Sequence, residues 1–211
     1  MRPFGLVCAL ILTTLGACSQ AEEDLGDDSS ELSTRPFNRN KLLSDEELRD
    51  SSSMTAAEID AFLVKTPWGH SSVLAGYRED GKTVGEMIHA ACVKHRVNPF
   101  ALLVRLQMEQ GLIYKKTASD RVISLAFGCG CPHSPVCGPK YIGFGNQVDC
   151  AAGTIDRSID RATSERGTAS GWKKGVEKRT QDGIRIVPEN AATAALYTYT
   201  PWVGEAGGGK P

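Results

Sequence analysis

The sequence lacks a strong charge of either sign: 24 Lys and Arg stand against 25 Asp and Glu in 211 residues, with four His and a net charge of −1. A nucleic-acid binder carries a basic stripe and a high isoelectric point, so this balance excludes that class of partner. Long apolar runs are also missing. The one candidate, Phe4 to Ala17 behind the single charge of Arg2, is too short for a stable bilayer span and has the form of a removable export signal. Strand signals are scarce and internal repeats are absent. No nucleophile is spaced with His70, His89 or His95 as a catalytic triad requires. What is present is mainly helix-forming.

The leader ends in Leu15-Gly16-Ala17-Cys18, which resembles the lipobox of bacterial lipoproteins. The resemblance implies that residues 1–17 are removed, that Cys18 is lipidated, and that the protein reaches the membrane through that lipid. Ser19 rather than Asp follows, which implies a place in the cell envelope, at the outer membrane if the host is diderm. Residues 18–40 are polar and acidic, with Glu22, Glu23, Asp24, Asp27, Asp28 and Glu31, and lack the apolar periodicity of a core. They read as a flexible tether. Without Arg2 and those six acids, 23 basic and 19 acidic residues remain, so the folded part carries about +4. Residues 41–204 form one domain of ordinary size, and the glycine-rich residues 205–211 read as a disordered tail.

Within that domain Ser44 with Glu47, Thr55 with Glu58 and Thr83 with Glu86 have capping-box spacing. Ile59, Phe62 and Leu63 give the second helix an apolar face that Thr66-Pro67-Trp68-Gly69 interrupts. Val84, Met87, Ile88, Ala91 and Cys92 form a stripe on the third. Asn98 and Pro99 open the next helix, and Gly111 is a left-handed terminator. Phe100, Leu103, Val104 and Met108 are its expected buried stripe, and Glu109 falls in its last turn. Helix-end carbonyls and apolar neighbours there both disfavour an ionised carboxylate, the setting of an acid that retains its proton. Val148, Ala152, Ile155, Ile159 and Ala162 mark another helix, and Glu189 to Tyr199 the last. The only strand candidates, Val176–Thr180 and Ile184–Val187, flank Asp182-Gly183 as a hairpin.

Four ordered segments carry a family resemblance: NPFALLVRLQMEQGL, AFGCGCP with Cys137 downstream, KYIGFGNQV, and NAATAALYTYTPWV. Together they resemble exported bacterial proteins with a lysozyme-like, lytic-transglycosylase-type domain, over roughly residues 55–204. The resemblance implies a mainly α (α+β) lysozyme-like fold with a small hairpin and a disulfide-stapled loop. It implies a peptidoglycan-cleaving glycosidase acting on the β-1,4 bond between N-acetylmuramic acid and N-acetylglucosamine. Glu109 matches the catalytic glutamate, Gln110 follows it, Phe127 begins the loop beyond, and Tyr197 or Tyr199 matches the aromatic hydroxyl near the last helix. Gln110 departs from the usual serine, and the family's glycine-leucine-methionine-glutamine loop is not present as such. That departure bears on the reaction mode. Asn146 and Gln147 follow the glycines of GFGN as candidate cleft residues, although Asn146 also suits a helix cap.

Glycosidic cleavage needs an acid on the leaving oxygen, and a hydrolase normally adds a second carboxylate. Asp120 and Asp149 are the candidates, with a cap or surface acid as the plain alternative. A transglycosylase uses the 6-hydroxyl of muramic acid instead, as the resemblance implies. An N-acetylglucosaminidase and a catalytically weak glycan-binding lipoprotein are the competing readings. Export favours disulfides: Cys131 with Cys137 across a short loop and Cys129 with Cys150 into the next helix, leaving Cys92 buried. Zinc on Cys129, Cys131, His133 and Cys137 fits by ligand type, but the spacing is cramped, and no metal or cofactor is expected. Trp172 and Trp202 are candidates for stacking on sugars. Lys173, Lys174, Lys178, Arg179 and Arg185 are candidates for contacting wall anions, or they form a solvated hairpin face.

Overall fold

The computed structural model describes residues 37–131 and 137–204, so the leader, Cys18 and residues 205–211 lie outside the described residues. The three capping boxes open α1 (Asp45–Arg49), α2 (Ala56–Val64) and α3 (Val84–His95), each with both reciprocal hydrogen bonds. Asn98 accepts from the Phe100 N–H to start α4 (Pro99–Gln110), and Gly111 ends it at φ 65°. Then follow α5 (Asp120–Ser124), a 3₁₀ turn at Pro139–Tyr141, α6 (Phe144–Ala162) and α7 (Ala191–Tyr199). The domain is mainly α with two small antiparallel hairpins, and no described helix is long and apolar enough to cross a membrane.

The core is organised on α6, against which α3 and α7 pack most extensively. Val148, Ala152, Ile155, Ile159 and Ala162 are buried as their spacing predicts, and so are Val84, Met87, Ile88, Ala91 and Cys92 on α3. Burial pushes the Cys92 thiol up to about 12, which leaves it an inert core group. The stripe expected on α4 is corrected: Leu102, Leu103 and Leu106 are buried, while Phe100, Val104 and Met108 face outward. Both sets have helical spacing. The Leu set continues into the buried Leu112 and Ile113 beyond the turn, and that continuity selects it.

A second hairpin pairs β1 (Arg78–Glu79) with β2 (Lys82–Thr83) through Asp80 and Gly81, both at positive φ. Its flanks are charged rather than alternating, so no strand pattern marks it in the sequence. The expected hairpin is present but its ladder is short, β3 (Lys178–Arg179) against β4 (Arg185–Ile186). The first hairpin has a structural use. Glu79 accepts from the N–H groups of Phe144 at 3.0 Å and Gly145 at 2.7 Å, capping α6, whose own N-cap residue Gly143 has no side chain to do so. Asn146 lies inside the helix, bonded back to the Ile142 carbonyl, and is not the cap.

The expected tether runs too far. The Tyr197 hydroxyl donates to the Arg39 carbonyl, Glu189 N–H to the Asn40 carbonyl and Val187 N–H to the Asn40 side chain, so these residues belong to the domain. Both expected disulfides are present, Cys129–Cys150 and Cys131–Cys137, with Cys92 free and buried. The cysteines of the zinc reading are thus oxidised. Gly130, at φ 74°, lies against the Tyr141 ring so closely that an added Cβ would meet it at 2.1 Å.

Gln147 is fully buried and holds this loop. Its Oε1 accepts from the N–H groups of Phe127 at 3.2 Å and Cys129 at 2.9 Å, and its Nε2 donates to the carbonyls of Cys129 at 2.8 Å and Tyr141 at 2.6 Å. It is a structural crosslink rather than a cleft residue. Gln147→Leu leaves those backbone groups unpaired and is expected to cost at least about 2 kcal/mol, read as a lower urea midpoint. Glu79→Ala is expected to cost about 1 kcal/mol in the same assay through loss of the α6 cap.

Candidate functional site

Unsatisfied polar chemistry gathers at the last turns of α4. Among the described residues, the buried side-chain atoms without a hydrogen-bond partner are Nε and Nη1 of Arg105 and the hydroxyl of Tyr199. The two side chains touch. The Arg105 guanidinium stacks on the Tyr199 ring, 4.1 Å from its centroid, and lies 5.7 Å from the Phe127 ring. Its Nη2 donates to Glu109 Oε1 at 3.3 Å.

Buried guanidinium nitrogens are nearly always paired, because each lost water bond is costly in a low-dielectric setting. Cation–π stacking offsets part of that cost but does not satisfy the in-plane N–H groups. The ion pair contributes little to stability. It joins residues four apart on one helix, in the weaker order with the cation first, and Glu109 is exposed. Arg105 is therefore poorly explained as a stabilising device and well explained as the holder of a carboxylate at a helix end that repels one. The expected apolar surroundings of Glu109 are corrected: it is exposed, and its partner is a cation.

A cavity of about 300 Å³ opens beside this turn, lined by Gln110, Arg121, Val122, Leu125, Gly128 and the Cys131–Cys137 disulfide. Gly128 and the disulfide thus form one wall, and Gln147 fixes the adjoining Phe127 and Cys129. A larger cavity, about 530 Å³, lies elsewhere, between α3, β1 and the start of α6. Glu79 and Asp149 line it, but the first caps α6 and the second is held by Lys94 Nζ at 2.7 Å and His95 Nε2 at 2.9 Å. Size alone favours the larger cavity. The smaller adjoins, through Gln110, the turn of α4 that carries the exposed carboxylate and the unpartnered Arg105 nitrogens, whereas the carboxylates of the larger are already engaged, and that decides between the two.

The sequence-derived residues divide accordingly. Gln110 lines the cavity beside Glu109, and Tyr199 joins Glu109 through Arg105. Phe127 and Tyr197 are buried and cannot present a face to a sugar; Tyr197 stacks on Trp172 at 4.9 Å, which also buries that tryptophan. Trp202 remains partly exposed. Asn146 lines the larger cavity with Asp149. Asp120 is an exposed first-turn residue of α5, where the helix dipole favours it. Neither Asp120 nor Asp149 hydrogen-bonds to Glu109. The hairpin cations are largely engaged locally, Lys178 with the Ser170 carbonyl, Arg179 with the Gly183 carbonyl and Arg185 with Glu177. Arg105 is the residue the sequence reading passed over. Its signal was a lone cation one turn before Glu109 on an apolar helix.

Comparison with protein-family models, with curated proteins and with solved structures returns no match.

Burial alone would raise the Asp149 carboxyl, but hydrogen bonds from Lys94 and His95 outweigh it and hold the group below its ordinary value of 3.8. Its stabilisation is therefore present above pH 3.8 and lost as pH falls through the lower folded value. Thermal melts from pH 5 down to pH 2 are expected to show a shallower acid limb in Asp149→Asn. Arg105→Met is expected to leave the melting temperature within about 3 °C of wild type or to raise it, because it removes a half-satisfied buried cation.

Proposed function

We propose that this chain is an exported peptidoglycan glycosidase with a lysozyme-like fold, working as a lytic transglycosylase through Glu109. The observation that carries the reading is the assembly at the end of α4: an exposed carboxylate held by Arg105, whose guanidinium stacks on the ring of Tyr199 with its unpartnered hydroxyl, and a cavity lined by the next residue, Gln110. The four-segment resemblance supplies the substrate class, the β-1,4 bond from N-acetylmuramic acid to N-acetylglucosamine.

In this mechanism the Glu109 carboxyl gives its proton to the glycosidic oxygen as the bond to C1 breaks and an oxocarbenium-like centre develops. The muramic 6-hydroxyl then attacks C1 and returns its proton to Glu109, closing a 1,6-anhydro ring with no water consumed. Arg105 stabilises the carboxylate between the two steps and fixes the oxygen that must take the proton back. One carboxylate suffices. The engagement of Asp149 by Lys94 and His95 favours this route over hydrolysis. A second reading, a glycan-binding lipoprotein of the cell envelope, is favoured by the exposure of Glu109 and its ion pair.

Mass spectrometry of soluble products from purified peptidoglycan tests the choice. Anhydro-muropeptides are expected from the wild type, reduced about a hundredfold or more in Glu109→Gln and at least about tenfold in Arg105→Met. Reducing-end products would replace the transglycosylase reading with hydrolysis. Glycan binding without any product would leave the binding reading.

A further inference from the structure

The outer face of α4 is apolar and uncovered. Phe100, Val104 and Met108 recur every four residues and are 50%, 56% and 56% exposed, opposite the Leu102, Leu103 and Leu106 face that enters the core. A helix of a soluble domain normally turns polar side chains outward, and a continuous apolar stripe there marks a contact surface. The face extends beyond the helix. After Gly111 the chain turns back, the Tyr114 N–H donates to the Gln107 side chain at 3.0 Å, and the exposed Tyr114 ring meets exposed Trp68 edge to face at 5.2 Å. The corner is held from inside by the Ser72 hydroxyl, which donates to the Leu112 carbonyl, and by Val73 N–H, which donates to the Lys115 carbonyl. It is a fixed platform.

Charge identifies what the platform fits. Lys65, Lys115 and Lys116 are exposed around Trp68 and Tyr114, with His70 packed against the Tyr114 ring. No Asp or Glu occurs between residues 61 and 77, 99 and 108, or 110 and 119, the three segments that build the face. Glu109 projects a quarter-turn or more away from the stripe, toward Arg105. Apolar side chains at the centre, Trp and Tyr beside them and lysines at the rim match the layering of an anionic bilayer interface: acyl chains, headgroup boundary, then phosphate charge.

We propose that the outer face of α4, with the Trp68–Tyr114 corner and its lysines, docks the domain onto an anionic lipid surface. The docking is separate from any lipid on Cys18 and independent of whether Glu109 is catalytic. It holds the domain flat on the membrane by α4, with Glu109 on the flank of the helix rather than under it.

The test uses the full chain with Cys18→Ser, which removes lipid attachment, and vesicles of phosphatidylglycerol and phosphatidylethanolamine with brominated acyl chains. The protein has three tryptophans; Trp172 is buried and Trp202 lies at the other end of the chain. The expected result is bromine quenching that disappears in Trp68→Phe, and vesicle affinity that falls about twenty-five-fold in Lys115→Gln/Lys116→Gln, roughly fivefold per lysine. Val104→Glu/Met108→Glu is expected to abolish the quenching. Quenching that persists in Trp68→Phe, or affinity unchanged in the lysine and glutamate pairs, overturns the proposal. So does lipid-free quenching of Trp68 by soluble muropeptides, which would assign the corner to substrate, or a dimer that Val104→Glu/Met108→Glu dissociates, which would assign the face to a second copy. None of these outcomes depends on glycosidase activity, so the two readings fail separately.

Discussion

The structure around the candidate site depends on one buried amide. Gln147 sits in the first turn of the longest described helix, and its four hydrogen bonds hold Phe127, Cys129 and Tyr141, on either side of the Cys131–Cys137 bridge. The two disulfides limit how far that stretch can stray, but they do not set where it stands; a covalent tie restricts the unfolded chain more than it positions the folded one. The amide does the positioning, because leaving four backbone groups dry and unpaired would cost more than any gain from rearranging. Glu79 then fixes the helix end from which Gln147 projects. A chain of dependence runs from the first hairpin, through the α6 cap, to the loop wall beside Glu109.

Much of the fold is legible in the sequence because its signals are local. A capping box needs only two residues three apart, and all three form. The terminator Gly111 and the cap Asn98 are equally local, and so is the Asp182-Gly183 turn. The disulfides were legible because the five cysteines beyond Cys18, one of them on an apolar helical face, leave few sensible pairings. Failures came where two readings are locally equal. On α4 the Phe100 and Leu102 stripes have the same period, and only the partner helices choose between them. Asp80-Gly81 is as good a turn as Asp182-Gly183, but its charged flanks hid it.

The candidate site was half legible. Glu109 and Gln110 stand out from an apolar stretch, and Gln110 lines the cavity. Arg105 did not, because a cation on a helix reads as solvated until its burial and its stacking on Tyr199 are seen. Gln147, Phe127 and Tyr197 were misassigned for one reason: polar or aromatic residues in a matched segment look like ligand contacts, whereas burial turns them into framework. Asp149 illustrates the same ambiguity for charge, since Lys94 and His95 come to it from a helix more than fifty residues earlier.

Both ends of the described domain attach to one short stretch of chain. Asn40 is bonded to Val187 and Glu189, while Val203 and Gly204 donate to Asp182 in the turn just before. Entry and exit are therefore neighbours, and the body between them hangs from a single corner like a flag from one grommet. Such a domain lends itself to being spliced into the surface loop of another protein, or circularly permuted through a linker from Gly204 to Asn38, without disturbing the helices. Load that pulls on the chain at both ends passes through that corner and, by way of the Arg39 carbonyl, into Tyr197.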